Sequence, residues 1–150
     1  IEGESKDEKH QGWIDVLSYS HGMSQASSAS SSGGGAGAGK VSHQDFSIVK
    51  NLDKSSPLLY LAASNGQHFK EVKLELVKAT GDKEKFLEIK LSDVIITSVT
   101  YGGNQKEEIP TEQVSLSYGK IEWTYTELGE DGKPKGDVKT GWDLKTNKKV

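Results

Sequence analysis

The chain has no cysteine, little aromatic content, no excess of basic charge and no long apolar run. Each absence removes a class of function. Without cysteine there are no disulfides, no thiol catalysis and no thiolate-held zinc, and the redox compartment stays open. Lys and Arg number 19 against 22 Asp and Glu, a net charge of −3, so no concentrated basic face for nucleic acid precedes the last turns. No apolar stretch approaches the roughly 18 residues of a membrane span. No signal-peptide pattern is legible, and the chain begins at Ile1 rather than Met, which leaves the native start open.

What is abundant is small. From Ser27 to Gly35 the chain is Ser and Gly, broken only by Ala29, and Gly37 and Gly39 follow. The whole stretch from Gly22 to Asp45 has almost no bulky apolar side chain and cannot fold on its own. It stands between two strand-like runs, where a compact domain has a short loop. A long loop there either binds a ligand or is ordered by a partner. At 150 residues the chain is expected to form one domain, residues 1–150.

Around this loop the pattern is mostly β. Trp13 to Ser20 alternates, with Leu17 and Tyr19 on an expected buried face and Ser18 and Ser20 on a wet one. Val41 to Val49 reads as a second strand. One helix is expected: Asp53, Ser55 or Ser56 caps it, Pro57 suits its first turn, and Leu58, Leu59, Leu61 and Ala62 form a stripe. Asn65-Gly66 ends it. Val72, Leu74 and Leu76 then alternate with charge, and Gly81-Asp82 turns the chain.

Two long runs change phase internally. In Phe86 to Val99 the apolar positions are Leu87, Ile89 and Leu91, then Val94 and Ile96, so a bulge or bend is expected near Ser92-Asp93. In Gln113 to Thr126 they are Val114, Leu116 and Tyr118, then Ile121, Trp123 and Tyr125, with Gly119 at the switch. Bent strands turn corners, which favours a barrel or tight sandwich. Gly102-Gly103-Asn104 and Asp131-Gly132 mark turns, the latter before a last β arm ending near Trp142.

The chemistry on offer is thin. Gly34, Gly39 and Lys40 match a phosphate loop, but Val41 stands where Ser or Thr should hold magnesium, and no strand–turn–helix context surrounds it. Gly33, Gly35 and Ala38 match a loose dinucleotide fingerprint with Asp53 downstream, and fail on the same context. Gly22 to Ala26 has the spelling of a nucleophile elbow but leads into Ser and Gly rather than a helix. His10, His21, His43 and His68 lack ligand spacing and read as surface or turn residues. Ser42, His43 and Asp45 are too close in sequence for a triad. Glu107-Glu108 and the C-terminal lysines read as solvated charge. No catalytic, cofactor or metal constellation survives, and function is expected to lie in surfaces.

Several segments carry a resemblance. Gly3 to Gln25, Gly35 to Ser47, Asp53 to Leu59, Ser64 to Leu74, Asp93 to Val99 and Pro110 to Trp123 together resemble the Hcp family, the tube-forming proteins of bacterial type VI secretion. The resemblance runs nearly end to end. It implies a mainly β fold, a squat two-sheet β-barrel with one flanking helix and a long Gly/Ser-rich loop. It implies a homo-hexameric ring, rings stacked into a tube, and as partners a VgrG-type spike, a sheath and small effectors held in the lumen, with no nucleic acid and no membrane insertion. It implies a protein that is not an enzyme and has no cofactor, and that is cytoplasmic before firing and extracellular after. Ser18 and Ser20 are expected to face the lumen and touch effectors. Ser30, Gly33, Gly35, Gly37, Gly39 and Lys40 are expected to form the ring-stacking loop. Relatives carry one more strand ahead of the position of Ile1, so the chain is expected to be trimmed there, and no toxin extension is expected after the last arm. An export receptor for effectors, and more remotely a nucleotide-binding enzyme built on the glycine loop, are the alternative readings.

Overall fold

The computed structural model describes residues 1–27, 38–79 and 81–150. They form strands β1 (Ser18–Ser20), β2 (Met23–Ser27), β3 (Ala38–His43) and β4 (Phe46–Asn51), then helix α1 (Ser56–Asn65). Strands β5 (His68–Val77), β6 (Lys85–Tyr101), β7 (Thr111–Leu128), β8 (Pro134–Asp143) and β9 (Lys148–Lys149) follow. The fold is mainly β, as expected, with two sheets and a single helix among the described residues. The larger sheet has the order β1-β4-β7-β6-β5, with β8 on β7 and β9 on β8. Its hydrogen-bonded path has free ends at β1 and β5, so the expected closure into a barrel is not made by backbone pairing among the described residues.

The chain divides into two compact units, with β6 and β7 contributing residues to both. The first comprises Ile1–His68 and Ile95–Ser117. Its N-terminal segment is irregular: the Gly3 N–H donates to the Gly12 carbonyl at 2.7 Å, and the Ser5 N–H to the Trp13 carbonyl at 2.9 Å. A Cβ at Gly3 would stand 2.5 Å from the Trp13 carbonyl oxygen, so only glycine fits. Its core gathers Phe46, Leu59, Ala62, Ile96, Val114 and Leu116.

Helix α1 forms where expected, but the side-chain N-cap is not made: Ser55 stands at the N-cap position in the right-handed helical conformation with no side-chain cap hydrogen bond. Pro57 lies in the first turn, and Gly66 ends the helix in the left-handed conformation at φ +70°, its N–H donating to the Ala62 carbonyl. Asp53 accepts from the Ser55 N–H at 2.9 Å rather than capping a later turn. Only part of the predicted stripe turns inward: Leu59 and Ala62 are buried, while Leu58 and Leu61 are about half exposed, at 49% and 56%.

The second unit comprises Phe69–Val94 and Tyr118–Val150. Ile89, Leu91, Val94, Tyr118 and Ile121 are its buried apolar residues. The phase change in β6 is real: Ile89 and Leu91 are buried, then Val94, with Asp93 between them at φ +56°. The same change in β7 separates Tyr118 from Ile121 around Gly119. β8 pairs with β7 from Lys120↔Asp143 to Leu128↔Pro134, the expected C-terminal arm. β9 closes back on Trp142 and Asp143, a short strand that the lysine-rich sequence did not announce.

Three other expectations are corrected. Trp13 to Ser20 is not one strand; only Ser18–Ser20 pairs, and Leu17 and Tyr19 are exposed rather than buried. All three residues of β1 are exposed, and among the described residues the strand has a partner on one edge alone. Val41 to Val49 is two strands, β3 and β4, parted at Gln44-Asp45. The Gly22-to-Asp45 stretch is not all loop. Its ends pair as the antiparallel hairpin β2–β3, from Met23↔His43 to Ser27↔Ala38, with a bulge between Gln25 and Ser27.

Candidate functional site: a hydroxyl-lined sheet face and a buried ionic latch

In the first unit, β4 lies between β1 and the start of β7, and the registers fix which side chains share a face. Ser20 pairs with Ser47, and Ser47 with Ser115. Residues directly opposite in antiparallel strands share a face. Three hydroxyls therefore form a row across β1, β4 and β7, and the Ser47 and Ser115 oxygens are 3.0 Å apart. Two residues along, Ser18, Val49 and Gln113 form the next row of the same face. Beside it, Thr97 Oγ1 donates to the Asp45 carboxylate at 2.6 Å. Ser18, Ser20 and Gln113 are exposed and Ser47 and Ser115 half-buried, so this face is wet and short-chained.

The opposite face is the packed one. Phe46↔Leu116 and Ile48↔Val114 cross it, and Lys50↔Glu112 closes it. Lys50 and Glu112 are 0% and 2% exposed. Lys50 Nζ donates to Glu112 Oε2 at 2.6 Å and to Ser56 Oγ at 3.1 Å, and it pairs with Asp53 at 3.0 Å. The Ser56 hydroxyl and the Tyr60 hydroxyl both donate to Glu112, at 2.6 and 2.5 Å. This network ties α1 to β4 and β7. Burial alone would raise the Glu112 pKa; the hydrogen bonds from Lys50, Ser56 and Tyr60 and the Lys50 charge outweigh it and hold the carboxyl below its ordinary value. Asp53 is held low in the same way, its burial outweighed by Ser55 and Lys50. Burial and the donated bond to Glu112 push the Tyr60 phenol up to about 12, so it remains a donor. Tyr60 also stacks on Tyr101 at 4.6 Å.

The sequence named Ser18 and Ser20, and both lie on the wet face. Of the loop residues, Ser30, Gly33, Gly35 and Gly37 lie outside the described residues. Gly39 and Lys40 belong to β3, with Lys40 exposed. Lys40 and Val41 sit in a strand, so the near-phosphate-loop spelling does not open a helix there. Ser24 sits in β2 opposite Ser42, which removes the nucleophile elbow. Lys50, Ser56, Tyr60 and Glu112 were missed as a group. Alternation was the available signal: Lys50 is in phase with Phe46, and Glu112 with Val114 and Leu116. Among the described residues no group of three or more His, Asp or Glu gathers to hold a metal. No helix among them is long and apolar enough to cross a membrane.

The mainly β fold of the chain is similar to that of solved type VI secretion proteins. A solved structure described as that of a type six secretion system protein matches with TM-score 0.94 at 32% identity, over 100% of this chain and 94% of that one. Hcp1 from Salmonella typhimurium matches with TM-score 0.80 at 29% identity, over 100% and 93%. The chain belongs to the Hcp family: the family model for the type VI secretion system effector, Hcp, matches residues 1–125. It is 44% identical over 149 residues to Protein hcp1 of Pseudomonas aeruginosa, covering 98% of this chain and 91% of that one. It is accordingly a secreted effector and tube protein of the type VI system.

Proposed function

We propose that the chain acts as a single tube domain that assembles into a homo-hexameric ring, and that the rings stack into a tube. The tube is driven by a sheath, tipped by a VgrG-type spike, and carries small effectors in its lumen. The protein is cytoplasmic before firing and extracellular afterwards, and its role is structural rather than catalytic. The observation that carries this reading is the Ser20–Ser47–Ser115 row. A sheet face of small hydroxyls, placed opposite the face that packs Phe46, Val114 and Leu116, suits a wet lumen. It can hydrogen-bond many cargo surfaces while burying little apolar area of its own. The side of β1 that has no strand partner among the described residues is a second support, since an open strand edge is a natural place for a neighbouring copy to add on. The stacking role is assigned to Ser30, Gly33, Gly35, Gly37, Gly39 and Lys40, of which the glycines and the serine permit close backbone approach.

Sedimentation combined with negative-stain imaging tests the assembly. A hexamer-sized species with a ring image is expected, and a strictly monomeric profile overturns it. Ser20→Gln tests the lumen. Rings should persist while retention of a co-expressed effector falls; unchanged retention rejects Ser20 as a lumen contact.

A further inference from the structure

The base of the β2–β3 hairpin brings together metal-ligating side chains that the tube reading does not use. His21 and His43, separated by 22 positions in sequence, have ring centroids 5.9 Å apart. Met23 stands directly opposite His43 in the hairpin register, so their side chains share a face with Cβ atoms roughly 5 Å apart. It is the chain's single methionine, and it is 49% exposed.

The backbone here is pinned. The Gln44 N–H donates to the Gly22 carbonyl at 2.9 Å, clamping the segment His21–Met23 against His43 and Gln44. Phe46 backs the His21 ring at 5.4 Å. The backbone of this segment is therefore held by β pairing, and the His21 ring rests on the core residue Phe46.

We propose that His21, Met23 and His43 form a binding site for a soft transition-metal ion, monovalent copper above all. Two imidazoles bound to one ion through nitrogens at about 2 Å place their centroids roughly 5 to 6 Å apart, which is the separation found. A thioether beside two imidazoles selects the softer ion: imidazole alone serves zinc, nickel and copper, whereas methionine sulfur favours Cu(I). Three ligands with no carboxylate suit a monovalent cation better than a hard divalent one. A bound ion would fasten the two ends of the glycine-rich segment at its base, and this needs no ring assembly.

The test is an anaerobic titration of the purified full chain with Cu(I) held by a competing chromophoric chelator. One Cu(I) per chain is expected, with a rise in melting temperature on loading. His43→Ala should lose at least about the 10- to 100-fold in affinity that even an outer partner of a metal site commands. Met23→Leu should weaken Cu(I) while leaving Zn(II) binding unchanged. Circular dichroism and the metal-free melting temperature check that each variant folds. Absence of Cu(I) binding by the folded chain overturns the proposal. So does binding that survives His43→Ala, or a Met23→Leu variant with unaltered Cu(I) affinity.

Discussion

Lys50 and Glu112 are opposite charges placed face to face in a sheet, nearly sealed from water, with three hydroxyl and carboxylate neighbours filling their remaining valences. A buried pair of this kind contributes little net stability relative to an apolar pair, but loss of one partner strands the other charge. Glu112→Gln should therefore destabilise the fold by about 3–5 kcal/mol in urea unfolding, and Lys50→Met combined with Glu112→Leu should recover most of that loss. An equal loss in single and double variants would show that the ionic pairing is not what holds α1. The pH dependence follows in sign. The folded Glu112 pKa lies below its ordinary 4.5, so its stabilisation is complete above about pH 4.5 and is lost as pH falls through the lower folded value. Asp53 adds the same sign from its ordinary 3.8 downward. Acid titration of the wild type should steepen in that window, and Glu112→Gln should flatten it.

At the scale of elements, strand and helix existence was mostly legible because apolar phase and capping residues are local signals. Pro57 and Gly66 bracket α1 as their backbone preferences require. No atom lies within 4 Å of a Cβ added at Gly66, so Gly66→Ala carries only the cost of the left-handed backbone. About 1–2 kcal/mol of destabilisation is expected in urea unfolding, and an unchanged midpoint would show that the helix end is set by its surroundings. The phase breaks at Asp93 and Gly119 were also readable, since a period-two pattern records each change of face. Which helical leucines are buried was not. Leu58, Leu59, Leu61 and Ala62 are all apolar, and only the docking of α1 decided that Leu59 and Ala62 turn inward. The β2–β3 hairpin was invisible for a related reason. Met23–Ser27 and Ala38–His43 pair through backbone groups, while their side chains are too small and polar to show a buried period.

At the scale of the whole molecule, the glycine-rich segment is framed by β2 before it and β3 after it, and stacking is its proposed part. Deleting Ser30 to Gly37 should leave hexamer-sized rings in sedimentation and shorten or abolish tubes in electron micrographs; tubes of undiminished length would refute the stacking role. The family was written into the sequence, because its motifs extend along most of the chain in a fixed order. So were the fold class and the wet character of Ser18 and Ser20, each set by a residue's own chemistry and its near neighbours. The Ser20–Ser47–Ser115 row, the Lys50–Glu112 latch and the pairing of His21 and Met23 with His43 join residues distant in sequence. Only sheet register and the close approach of distant segments in the folded chain could bring them together, because a contact between remote positions leaves no periodic trace in one sequence.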